Sequence, residues 1–285
     1  MKKIFLALFL CFAFIQPAYS FTLSNFDTPE SFVVDAEDGS YYVSNINGDL
    51  AAKDGNGYIS KINPQGTLVI QKFIGGKEAG VLNAPKGLVI VGKTIYVTDV
   101  DAVKGFDKET GKLTDTFDLS KLNAKFLNDI AADDKGFLYA SDTMTNQIFK
   151  INRAKPEEVS VLKDSPELGG PNGIFINPKT KNLMIVTWET GHILEIDHQG
   201  KIHVLKRGLM RLDGLDYDNQ GNLYVSSFEK GEIYKIPYMG RGPMEIFMGG
   251  LIAPADISCD RKKNELLIPS LKGNTVTTVP LNKKA

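Results

Sequence analysis

Six residues open successive copies of an internal repeat, and four of them suit the capture of a hard cation. They are Glu30, Lys86, Asn128, Asn172, Asp213 and Ala255, separated by steps of 56, 42, 44, 41 and 42 residues. Glu30, Asn128, Asn172 and Asp213 carry carboxylate or amide oxygens, and no position of the six carries His or Cys. Oxygen donors of this kind suit Ca2+, which takes six to eight of them in flexible geometry, whereas borderline metals want imidazole or thiolate. Singly, Asn172-Gly173 and Asp213-Gly214 also read as ordinary turn formers ahead of a strand. Four oxygens at one repeat position, all facing one axis, favour a metal site over four unrelated turns.

The elements that must place these residues are short strands. Each opening segment (Lys86-Gly87-Leu88-Val89-Ile90 is typical) leads through a polar turn to a β-rich run such as Ile95-Tyr96-Val97-Thr98-Asp99. A third run alternates with period two, as in Gln147-Ile148-Phe149-Lys150-Ile151, and marks a half-buried antiparallel strand. A fourth follows in most copies. Six copies at about 42 residues match the repeat of a propeller blade, and the long first step reflects a polar insertion around Gly48 to Gly57. The last copy ends after three strands near Leu281, so the strand-like Phe21 to Phe26 is expected to supply its missing outer strand. The expected fold is all-β: a six-bladed propeller of four-stranded antiparallel blades, as one domain over 21–285. In that fold the six opening residues converge on one mouth of the central channel.

Residues 1–20 read as a signal peptide: Lys2-Lys3, the apolar run Ile4 to Ile15, then Ala18-Tyr19-Ser20 as a small-x-small cleavage site. The expected location is periplasmic or secreted, with no stable membrane insertion after cleavage. Removal of the two leader lysines takes the net charge from −1 to about −3 and leaves Cys259 alone. One cysteine excludes an internal disulfide framework, and a charge near zero argues against nucleic acid as a partner. With 42% hydrophobic and 24% charged residues in 285, the chain is an ordinary globular one with enough length for a core.

The motifs Glu30-Ser31, Asn128-Asp129, Pro171-Asn172-Gly173 and Asp213-Gly214 resemble the senescence-marker/gluconolactonase family, regucalcin and its bacterial relatives. The resemblance runs from about residue 28 to 281. It implies that Glu30, Asn172 and Asp213 hold a divalent cation, most naturally Ca2+, with Asn128 completing the shell or meeting the substrate. Such a site implies hydrolysis of small lactones or esters. The cation polarises the carbonyl, and Asp213 takes a proton from the attacking water. The alternative is a non-catalytic propeller that binds a ligand or protein and keeps the ion for stability.

Further charged residues fall near the mouth. Lys86 would either bind an anionic group of the substrate or pair with Asp99 or Asp101, and the pairing is the plainer expectation. Asp99 and Asp142 end their second strands on the same face and are candidate substrate contacts, or turn residues without that role. His192 and His198 stand about 20 Å apart along a strand at ~3.3 Å per residue, too far to share a metal. Lys53 to Gly57 suggests a tight hairpin more than an ion loop. No G-x-S-x-G elbow or phosphate-binding glycine loop is present. Closure of the ring makes a monomer the default expectation, and the resemblance implies a small-molecule substrate, a lactone or ester.

Overall fold

The computed structural model describes residues 20–76 and 81–282. All but the last residue of the signal-peptide reading lies outside them. Six four-stranded antiparallel sheets follow one another along the chain. The inner strands of the first five blades are Pro29–Val34, Pro85–Val91, Leu127–Ala132, Pro171–Ile176 and Leu212–Tyr217. Blade six has a shorter inner strand, Ser258–Asp260, followed by Glu265–Ser270 and Thr275–Pro280. Its fourth, outer strand is Thr22–Ser24, which pairs antiparallel with Thr275–Thr277. The six-bladed all-β propeller closed by the N-terminal strand is therefore the observed fold.

The core lies between blades rather than within them. One cluster joins Tyr42, Ile59 and Ile74 of blade one to Leu88, Ile95, Val97 and Phe106 of blade two. Others repeat the arrangement around the ring. This follows from the period-two pattern, which turns alternate side chains to opposite faces of a sheet, toward opposite neighbours. Cys259 is buried on the inner strand of blade six.

Two devices distinguish the ends of the channel. At the end away from the mouth, inner and second strands are joined by turns in which Asp35, Asp133, Asn177, Asp218 or Asp260 accepts the N–H two residues on. Side chains so engaged are true turn formers. At the mouth, the ladder skips in all of the first five blades: Pro29 pairs Asn45 and Phe32 pairs Val43, with the same step at Pro85/Leu88, Leu127/Ile130, Pro171/Ile174 and Leu212/Leu215. Two inner-strand residues thus oppose one on the second strand, a β-bulge, which re-aims side chains. The bulged pairs are Glu30-Ser31, Lys86-Gly87, Asn128-Asp129, Asn172-Gly173 and Asp213-Gly214. The connection over 46–57 is a long polar loop tied by an Asn47 side-chain bond to the Asn56 carbonyl, not the expected tight hairpin.

Candidate functional site: the channel mouth

Hydroxyls on the second strands fix the bulges and link blades, Ser141 and Ser226 doing both. Ser44, Ser141 and Ser226 accept from the N–H of Ser31, Asp129 and Gly214. Thr98, Ser141 and Ser226 donate to the carbonyls of Asn128, Asn172 and Ala255 at 2.5–2.8 Å. Each opening residue in these blades is therefore positioned by the blade before it. Glycine at the second bulge position allows the close approach this needs. A Cβ on Gly173 would stand 2.4 Å from the Asp213 carbonyl oxygen, and one on Gly214 2.6 Å from Asp256 Cα.

All six opening residues are buried at the mouth, the four oxygen donors at 3–5% exposure. Glu30 Oε2, Asn128 Oδ1, Asn172 Oδ1 and Asp213 Oδ1 are each buried without any hydrogen-bond partner. Asn128 donates its amide N–H to Thr143 Oγ1, which leaves its oxygen as the unpartnered end. A buried acceptor without a donor costs about 1–3 kcal/mol, so four at one place demand a partner that the chain does not supply. Such oxygens are chemically able to take a cation. Among the described residues no three His, Cys, Asp or Glu side chains form a metal cluster by themselves, and the unpartnered ring mixes two carboxylates with two amides.

The electrostatics agree with the geometry. Burial raises the Glu30 carboxyl well above its usual range, and the charges of Asp213, Asp256 and Asp129 add to the shift. Asp213 and Asp256 are likewise raised, first by burial, then by neighbouring carboxylates. Asp129 is pushed up to about 7, again chiefly by burial. Four carboxyls thus crowd one channel, with Lys86 as the cation that moderates Glu30.

Lys86 does not make the expected pair. Asp99 binds Lys104 at 2.7 Å, and Asp101 binds Lys53. Lys86 itself is 2% exposed, donates to the Ala84 carbonyl at 3.2 Å and lies 4.3 Å from the Phe126 ring centroid. Burial lowers its pKa to about 8 against the pull of Glu30 and three aspartates. Asp99 and Asp142, read as candidate substrate contacts, are engaged elsewhere. Asp99 accepts from the N–H groups of Asn83 and Ala84, and Asp142 from those of Lys125, Phe126, Met144 and Thr145. Both are buried staples of the mouth loops.

The sequence reading missed the residues one step further in, where Asp129 and Asp256 follow Asn128 and Ala255. Their signal was the second position of the same repeat. It also missed backbone strain at this face. Thr28, Arg211 and Ala253, each two residues ahead of an opening position, and Val100 beside Asp99 hold φ of 43–57° without being glycine. Such outliers, rare for β-branched residues, concentrate where function imposes them.

Fold and site together define a six-bladed β-propeller with an acidic, amide-lined channel mouth. The chain belongs to the SMP-30/Gluconolactonase/LRE-like family, whose model matches residues 28–249. No curated protein sequence matches it. Among solved structures it is similar to virginiamycin B lyase from Staphylococcus aureus, at 16% identity and TM-score 0.65 over 92% of this chain and 99% of that one. A nidogen/laminin complex chain is 19% identical, TM-score 0.68, over 85% and 90% of the two chains. A protein from Bacteroides thetaiotaomicron is 12% identical with TM-score 0.71, covering 92% of this chain and 72% of that one. At these identities the likeness concerns the fold.

Proposed function

We propose that the protein is an exported, Ca2+-dependent hydrolase of small lactones or esters. The observation that carries this reading is the set of four unpartnered buried oxygens on Glu30, Asn128, Asn172 and Asp213. Those side chains would hold the cation. When bound, it would supply Lewis-acid polarisation of a substrate carbonyl. Asp213, whose burial raises its proton affinity, takes the proton of the attacking water on its carboxylate. Lys86, held over Phe126 with its pKa near 8, offers an ammonium to charge that develops on the substrate. Export rests on the Lys2-Lys3, apolar and Ala18-Tyr19-Ser20 pattern.

Membership of a family whose description includes gluconolactonase supports the reaction class. The competing reading is a non-catalytic propeller that keeps the ion for stability. Calcium calorimetry on the chain without residues 1–20, wild type and Asp213→Ala, followed by a lactone and ester screen, separates the two. Saturable binding lost in the variant, with turnover lost alongside it, is the expected result. Calcium binding without turnover of any lactone or ester favours the binding propeller. No calcium binding by the folded wild type overturns the metal site.

A further inference from the structure

Beside the ring, on the same face, lies a cavity of about 370 Å³ whose walls are aromatic and whose charge is opposite to that of the channel. Trp188 and Phe228 both line it, edge to face at 5.2 Å between centroids. The Arg211 guanidinium sits 5.2 Å over Trp188, and the Lys272 ammonium 5.2 Å over Phe228. Lys230 adds a third cation to the lining, against the single carboxylate of Glu229. Glu229 reaches Arg211 only at Nε, at 3.6 Å, and both side chains are near half exposed. That is a weak surface pair, and it leaves the outer fork of the guanidinium open to a ligand.

The cavity is tied by backbone hydrogen bonds to the segments that lead into the ring residues. The Trp188 N–H donates to the Gly170 carbonyl, two residues before Asn172. The Phe228 N–H donates to the Arg211 carbonyl, two residues before Asp213. Two lining residues, Arg211 and Ala253, hold the left-handed backbone at φ 43° and 45°. A non-glycine residue holds that conformation only against strain, and Arg211 holds it with its guanidinium over the indole. The volume falls in the range of small-molecule sites and suits one aromatic ring with a substituent.

We propose that this cavity is a subsite for a planar aromatic ring bearing a carboxylate. Such a ring stacks on Trp188 and Phe228 while its carboxylate meets Arg211 and Lys272. Combined with the hydrolase reading, on which this step alone rests, the substrates are esters or lactones that also carry a free aryl carboxylate, held here, with the separate reacting carbonyl toward Asn172 and Asp213. The recognition itself stands without that reading.

Trp188 is the only tryptophan in the chain, so its emission reports occupancy. The full protein is titrated with benzoate, with benzamide as the neutral analogue and acetate as the non-aromatic anion. Expected is a saturable change with benzoate, at least about tenfold weaker with benzamide and with acetate, because charge and ring are both needed. Arg211→Gly removes the cation and suits the left-handed backbone. It and Lys272→Gln should each weaken benzoate by about tenfold or more with circular dichroism unchanged. Asp213→Ala should leave benzoate binding intact. No saturable response to benzoate, or equal responses to benzamide and benzoate, overturns the subsite. Benzoate binding that persists while calcium binding fails overturns only the metal reading.

Discussion

Two successive positions of the repeat line the same channel, and they are equally buried and equally acidic. At the first, Glu30, Asn128, Asn172 and Asp213 each keep an oxygen without a donor. At the second, Asp129 accepts the N–H of Ile130 and of Ile174 in the next blade, both at 2.7 Å. Asp256 there accepts the Ser31 hydroxyl at 2.6 Å. The difference teaches that burial and charge do not separate a site from its scaffold; hydrogen-bond satisfaction does. A carboxylate bridging two blades has its partners within the fold, whereas one left unpartnered needs something from outside it.

The sharpest break of this contrast comes from Asp213→Asn set beside Asp129→Ala. Loss of the Asp213 charge should lower calcium affinity on the order of 100-fold, read by calorimetry, and leave the metal-free melting temperature equal or higher. Asp129→Ala should do the reverse to the fold. It strands two buried N–H groups in adjacent blades, and urea unfolding should show a loss of about 2–4 kcal/mol. Equal stability losses for Asp213→Asn and Asp129→Ala would erase the distinction.

pH tests the carboxyls of both positions together. Glu30, Asp213 and Asp256 hold protons more tightly folded than unfolded, as does Asp129 at about 7. Stability from those protons is full below the unfolded carboxylate range and is lost as pH rises through the raised folded values. In chelator the melting temperature should therefore fall from about pH 5 to 8, and calcium should flatten the fall. A metal-free melting temperature that rises over that range would contradict the crowding of carboxyls. The smallest expected effect belongs to the hydroxyl behind the site. Ser226→Ala, which frees the Gly214 N–H and the Ala255 carbonyl, should cost about 1–2 kcal/mol in urea unfolding.

The ring was legible in the sequence because the repeat is regular: a step near 42 residues singles out position 30, 128, 172 or 213 without any structure. The closing strand was legible too, since the last copy lacked a partner at Thr275–Pro280. What the spacing left open was which polar side chains keep a free oxygen. Asp142 and Asp213 look alike as acids at strand ends, yet one is consumed by four loop N–H groups and the other by none. Those partners are set by loop conformation, which no periodicity encodes. The Trp188–Phe228 cavity escaped for a related reason. Its walls come from loops of three blades about 40 residues apart in the chain, each unremarkable alone.

The pairing of Thr22 with Thr277 joins residues 255 positions apart, nearly the whole chain. That contact makes ring closure a late event in the life of each molecule. Blades one to five can form in order as their residues appear, because each is local. Blade six stays one strand short until the first residues return to it, and its edge stays open until then. Contacts of such separation carry the largest loop-closure cost and form slowly. Until Thr275–Thr277 have emerged from the ribosome this pairing cannot form, so the ring waits on its last blade.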